Sequence, residues 1–134
     1  PKTVRSTAGS LFHVPIIQGV ELEEFAEDVK SQGTVVLAAD GYGTVNLQDL
    51  IDHAAVLRAG FSDETPAGVK GAFDLSRPTM WLFGNEAQGL SAEEKSAAMM
   101  RIAVPVYGAA ESLNVGTAAA ICLYASAMAQ HQTR

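Results

Sequence analysis

Two short stretches of this chain gather residue types that bind and transform small molecules. The first, Leu82-Phe83-Gly84-Asn85-Glu86-Ala87-Gln88-Gly89-Leu90, sets a carboxylate between two amides and brackets all three with glycines. Glycine lets a backbone approach a ligand closely, and the amides and carboxylate supply donors and acceptors. The pattern is neither a P-loop nor a dinucleotide GxGxxG. On its own, GxExxG reads as a strand-to-helix turn with a solvated Glu86. The second stretch, residues 104–117, runs Val-Pro-Val-Tyr-Gly-Ala-Ala-Glu-Ser-Leu-Asn-Val-Gly-Thr. Ser112 or Asn114 there would cap a helix by accepting from the free N–H groups of its first turn. Those same N–H groups and polar tips could instead meet a ligand's polar atoms. Spacing alone leaves the two readings even.

Elsewhere the chemistry thins out. His13, His53 and His131 lie too far apart in sequence to suggest metal-ligand spacing, so no metal is expected. The single cysteine, Cys122, has no partner for a disulfide and no CxxC, and it reads as a buried apolar residue in a protein of a reducing compartment, the cytoplasm. Met99, Met100 and Met128 read as core or interface filler. Of the aromatics that could stack on bases, Trp81 falls mid-strand and reads as core, and Tyr42 reads as an exposed turn residue.

Composition narrows the classes further. At 134 residues, 48% hydrophobic and 18% charged, the chain has the length and apolar content of one folded domain and excludes a disordered tail. Nine basic residues against fifteen acidic ones leave a charge of −6, and the basic ones are scattered singly from Lys2 to Arg134. A self-sufficient electrostatic nucleic-acid binder would not look like this. No apolar run approaches the ~20 residues of a membrane helix, and no charged-then-apolar leader opens the chain, so a soluble protein away from the membrane is expected. The text begins Pro1-Lys2 without Met, which suggests a domain truncated at its N-terminus.

The elements that must position the two stretches alternate. Residues 13–17 are an extended apolar run in which Pro15 argues for an edge strand. Residues 20–31 repeat Val20, Phe25 and Val29 among five acids, the pattern of a surface helix stopped at Gly33. Residues 34–39 form a continuous β-branched and apolar run, expected as a strand buried on both faces, and residues 40–43 form a turn. Leu47, Leu50, Ile51, Ala54, Ala55 and Leu57 share one helical face, with Gly60 as a stop. Residues 61–78 read as a long loop. Residues 79–83 are a second buried strand, Ser91 to Glu94 has capping-box spacing for a helix through Met100, and residues 101–104 are a last short strand. Residues 114–130 form an Ala-rich helix, apolar almost all round, which one small sheet cannot cover; a homodimer is the economical expectation. The alternation predicts an α/β fold with a mainly parallel sheet flanked by helices, whose ligands sit at the strands' carboxyl ends.

Taken together, the two stretches at this separation resemble the SpoU (TrmH-like) family of RNA ribose methyltransferases, within the SPOUT superfamily. The family's second motif is similar to FGNEAQGL at residues 83–90, and its third to RIAVPVYGAAESLNVGTAAAICLY at residues 101–124. VRSTAGSLFHVPII, residues 4–17, is similar to the segment after the family's first motif. The resemblance spans nearly the whole chain, residues 1–134 as one SPOUT methyltransferase domain, and is weakest between Gly41 and Pro78.

The resemblance implies a sheet whose C-terminal part is threaded into a trefoil knot, an exception to the rule against knots. It implies S-adenosyl-L-methionine bound there by backbone groups, with Gly84, Val104 and Leu113 as first contacts and Ala39, Asn85, Glu86 and Val106 behind them. The implied reaction moves a methyl group to a ribose 2′-hydroxyl of ribosomal or transfer RNA. Glu86, Ser112 and Asn114 match polar positions of the family's active site, Asn114 and Glu86 holding the loops and Ser112 a hydrogen bond near the reacting ribose. The family's first motif, with an Asn and the Arg credited with activating the hydroxyl, would lie upstream of Pro1; Arg5 falls after it and reads as an ordinary helix-surface residue. A catalytically silent RNA-binding or dimerisation module of the same fold is the alternative, and an upstream Asn-to-Arg motif would favour the enzyme. An unrelated flavodoxin-like nucleotide binder, lacking a knot, is a third reading.

Overall fold

Apolar β-branched runs become short strands, and the periodic stretches between them become helices. In chain order these are α1 (Leu22–Ser31), β1 (Val35–Ala39), β2 (Val45–Asn46), α2 (Leu47–Arg58), β3 (Thr79–Leu82), α3 (Ala92–Ala97), β4 (Met100–Ala103) and α4 (Val115–Gln132). The structure is a computed structural model and describes residues 16–60, 74–84, 88–105 and 114–132. Its strands form one sheet in the order β2-β4-β1-β3, each neighbouring pair parallel. The α/β class expected from the alternation of elements is the class observed.

β1 is the hub. Successive side chains of a strand point to opposite faces, so Val35 and Leu37 enter one core with Leu47, Leu50 and Ala54 of α2 and Cys122, Ala125 and Ala129 of α4. Val36 and Ala38 enter a second core with Ala26 of α1, Ala97 of α3, Leu82 and Leu90. An apolar run without alternation is what such two-sided burial demands. Removing a fully buried side chain of the first core, such as Leu50, leaves a cavity costing roughly 2–5 kcal/mol.

The route from β1 to β2 determines the shape of the carboxyl edge. Ala39 and Val45 both stand level with Ile102 of β4, on opposite sides of it. Residues 40–44 therefore step over β4, across two strand spacings or roughly 10 Å. Gly43 lies where they cross: a Cβ there would sit 2.7 Å from the Arg101 carbonyl oxygen and 2.9 Å from the Ala103 nitrogen. No side chain fits between the link and the strand beneath it.

Several boundaries differ from the sequence expectation. The strand β2 follows the expected turn; at two residues it is too short to leave a periodic signature, and its Asn46 also caps α2 by accepting from the Gln48 N–H at 2.7 Å. The capping box of α3 is present, the Ser91 hydroxyl accepting from the Glu94 N–H and the Glu94 carboxylate from the Ser91 N–H. That helix ends at Ala97 rather than Met100, because the Met99 N–H donates to the Val36 carbonyl and draws the chain into the sheet. Ile16 and Ile17 are exposed and belong to no strand; residues 13–15 of that run, and residues 61–73 of the long loop, lie outside the described residues.

Candidate functional site

Three adjacent strand ends converge at the carboxyl edge. Ala39 closes β1, Val104 directly follows β4 on one side of it, and Gly84 lies two residues past β3 on the other. The register aligns Ala38 with Leu82 and Ala39 with Ile102, so Gly84 follows one residue and Val104 two residues beyond the level of Ala39. Ala39, Phe83 and Val104 also pack against the same core, on the α2 and α4 side. Ala39, Gly84 and Val104, three of the expected cofactor positions, thus lie at one sheet edge. Asn85, Glu86, Val106, Ser112 and Leu113 lie outside the described residues.

The glycines of the first stretch have distinct physical reasons. A Cβ on Gly84 would fall on the Gly89 carbonyl carbon and the Leu90 nitrogen, so the two ends of the loop touch through backbone alone. Gly89 holds φ at 67°, a conformation side chains rarely adopt. A loop pinched this way offers backbone N–H and C=O groups at its neck, a donor set that fits a nucleoside held without side-chain recognition.

Asn114 stands at the start of α4. Its Oδ1 accepts from the Gly116 N–H at 2.7 Å and the Thr117 N–H at 3.3 Å, satisfying two otherwise free donors of the first turn. This is the capping geometry that sequence left even with a ligand role, and it fixes where the chain enters the helix.

On the opposite face of the same edge lies an ion cluster that sequence reasoning did not mark. Asp40, read as a turn residue, donates its N–H to the Ile102 carbonyl at 2.9 Å and accepts from the Tyr42 N–H through Oδ1 at 3.0 Å. Its Oδ2 is buried, accepts no hydrogen bond, and faces Arg101 Nη1 at 3.5 Å and Lys95 Nζ at 3.9 Å. The available signal was an acid directly after a strand buried on both faces, where a carboxylate must find cations or stay in water.

Other singled-out residues are structural. The Trp81 ring stacks on Phe83 with centroids 6.4 Å apart, and its Nε1–H donates to the Ser126 hydroxyl at 2.9 Å, tying β3 to α4. Cys122 is fully buried, and burial pushes its thiol up to about 12, so it carries no thiolate at neutral pH. Among the described residues no group of three or more His, Cys, Asp or Glu could hold a metal, and no helix is long and apolar enough to cross a membrane.

Comparison with known proteins meets this geometry at family level. The sequence model of the SpoU rRNA Methylase family matches residues 1–124. The chain is 32% identical over 123 residues to the 23S rRNA (guanosine(2553)-2′-O)-methyltransferase RlmP of Bacillus subtilis, covering 92% of this chain and 40% of that protein. It is 30% identical over 129 residues to the 23S rRNA (uridine(2479)-2′-O)-methyltransferase of Streptomyces viridochromogenes, covering 92% of this chain and 37% of that one. The chain thus spans about two-fifths of the length of these relatives. Among solved structures it resembles the SpoU methyltransferase AviRb from Streptomyces viridochromogenes in complex with the cofactor AdoMet, at 28% identity and a TM-score of 0.67, covering 96% of this chain and 44% of that one. With the family model matching most of the chain and the fold agreeing, this protein belongs to the SpoU rRNA methylase family.

Proposed function

We propose that this chain is the cofactor-binding domain of an S-adenosyl-L-methionine-dependent methyltransferase acting on a ribose 2′-hydroxyl of ribosomal or transfer RNA. The observation that carries the reading is the meeting of Ala39, Gly84 and Val104 at one sheet edge with backbone alone at the neck of the Gly84 loop, in a member of the SpoU family. The named activities of the relatives, and a structural neighbour that holds AdoMet, support it.

When bound, S-adenosylmethionine supplies an activated methyl group on a sulfonium. What remains for the enzyme is to hold the reactants in line, where proximity contributes most, and to help remove the hydroxyl proton. Backbone groups at Gly84, Val104 and Leu113, with Ala39, Asn85, Glu86 and Val106 around them, hold the nucleoside. Ser112 hydrogen-bonds near the reacting ribose. Asn114, by fixing the first turn of α4, sets the direction of the loop before it, and Glu86 braces the loop after β3. The passage of β4 beneath residues 40–44 supports a C-terminal trefoil knot as the frame of this site.

Two assembly features belong to the same reading. α4 turns Ile121, Leu123 and Tyr124 outward, which supports a homodimer built on that face. The cytoplasm, where ribosomal and transfer RNA are modified, is the compartment it expects.

Calorimetric titration with S-adenosylmethionine, S-adenosylhomocysteine and ATP tests the cofactor assignment. Binding of both sulfur nucleosides with no heat from ATP is expected. A folded sample that binds none of the three, or binds ATP equally well, overturns the reading.

A further inference from the structure

We propose that Lys95, Arg101 and Tyr42, organised by Asp40, form a docking point for unpaired RNA, the two cations holding a backbone phosphate and the ring stacking on a base. This rests on RNA being the substrate class.

The cations come from separate elements, α3 and β4, and converge on one carboxylate oxygen. Their separations from Oδ2, 3.9 and 3.5 Å, exceed the roughly 2.7–2.9 Å of a charge-assisted hydrogen bond, and Oδ2 accepts none. Lys95 and Arg101 are therefore held by Coulomb attraction, with N–H donors left over for a further anion. One buried carboxylate against two cations leaves the cluster with a net positive charge. Asp40 is only 9% exposed, whereas the Lys95 and Arg101 side chains are 38% and 44% exposed, so a ligand meets the cations and not the acid.

In a chain carrying −6 overall, this positive spot is unusual. Of the other described Lys and Arg residues, Lys30 pairs with Glu27, Arg77 donates to the Gly33 carbonyl and Arg58 lies alone in the last turn of α2, so only at Asp40 do two cations converge. The same carboxylate also sets the aromatic. Oδ1 fixes the turn at the Tyr42 N–H, and the crossing at Gly43 presses that turn against β4, so the Tyr42 ring stands 89% exposed on a rigid support. Paired cations and an exposed ring, both tied to one carboxylate, are the two components that single-stranded nucleic acid uses, charge for the backbone and stacking for the base. An acidic peptide would use the cations and leave the ring idle.

Fluorescence anisotropy of the full chain with a short labelled single-stranded RNA, across a salt series, tests the proposal, with a labelled polyglutamate peptide in parallel. Lys95→Gln, which keeps Arg101 opposite Asp40, is expected to weaken RNA binding about fivefold at low salt and to flatten the slope of log K against log salt by part of the roughly 0.7 that one phosphate contributes on a single strand. Tyr42→Ala, at an exposed position where folding is not at stake, is expected to weaken binding about tenfold with the slope unchanged. Arg101→Lys should keep the wild-type slope. Wild-type affinity and slope in both Lys95→Gln and Tyr42→Ala overturn the proposal, as does a wild-type chain that binds no RNA at low salt. Polyglutamate binding that matches RNA binding and is lost in Lys95→Gln also overturns it, assigning the cations to an acidic protein. Cofactor titration of the same samples separates the two ideas: retained S-adenosylmethionine binding with unaltered RNA binding defeats only this inference, while a wild type that binds no cofactor defeats the function on which it rests.

Discussion

The helices α1 and α4 cover opposite faces of one sheet, and their outer sides could hardly differ more. α1 turns Ala26 inward and meets water with Glu23, Glu24, Glu27 and Asp28. α4 turns Cys122, Ala125, Ser126 and Ala129 inward, all small, and leaves its large apolar residues outside, with Leu123 56% and Tyr124 66% exposed. An ordinary surface helix puts bulk in and charge out. The inversion in α4 means that its inner side is shaped for close approach to the sheet while its outer side stays apolar, whereas α1 is finished by solvent.

The sharpest way to break this contrast is to charge both outer sides. Wild-type chain at micromolar concentration is expected to scatter light as a dimer, and Leu123→Glu combined with Tyr124→Glu to halve that mass. Phe25→Glu on α1 should leave the mass unchanged. A monomeric wild type, or a dimer indifferent to the paired change, would remove α4 from the interface.

A smaller difference lies at the helix starts. The α1 N-cap, Glu21, makes no side-chain capping bond, while Asn114 accepts from two N–H groups of α4. Asn114→Ala is expected to cost about 1 kcal/mol in denaturant unfolding, and Glu21→Ala a few tenths at most. On the proposed function, Asn114→Ala should lower methyl transfer by the full protein beyond what lost stability explains. Unchanged turnover in a folded Asn114→Ala protein would leave Asn114 as a cap and nothing more.

What sequence made legible follows from the same physics. β1 and β3 were readable because unbroken apolar runs have few other fates, α3 because Ser91 and Glu94 are a local reciprocal pair, and the outward apolar side of α4 because no charge interrupts residues 115–130. β2 was not, since two residues carry no period. The early end of α3 was not, since a sheet partner 63 positions away, Val36, decides the fate of Met99. The grouping of Asp40, Lys95 and Arg101 was invisible for the same reason: the residues meet only because β1 pairs with β4 and α3 packs against β1, partners far apart in the chain. Local signals survive in one dimension, and long-range pairings do not.

A further predicted contrast, small until the pH is well above neutral, concerns what each helix buries. Ala26 of α1 has nothing to titrate, while Cys122 of α4 is a thiol whose ordinary value of 9.0 is raised by burial to about 12. Between those values the unfolded chain loses a proton that the folded chain keeps. Stability associated with this group is therefore complete below about pH 9 and declines as pH rises, at up to about 1.4 kcal/mol per pH unit until the folded thiol also ionises. At pH 9.5 the loss is still only about 0.8 kcal/mol by the same linkage. Cys122→Ala removes the titration without adding bulk, so its unfolding free energy should lie below wild type at pH 7 and converge toward it between pH 9 and 10.5 in urea titrations. Curves that stay parallel over that range would mean that the thiol reaches water from within α4, and that the inner side of this helix is less tightly closed than its small residues imply.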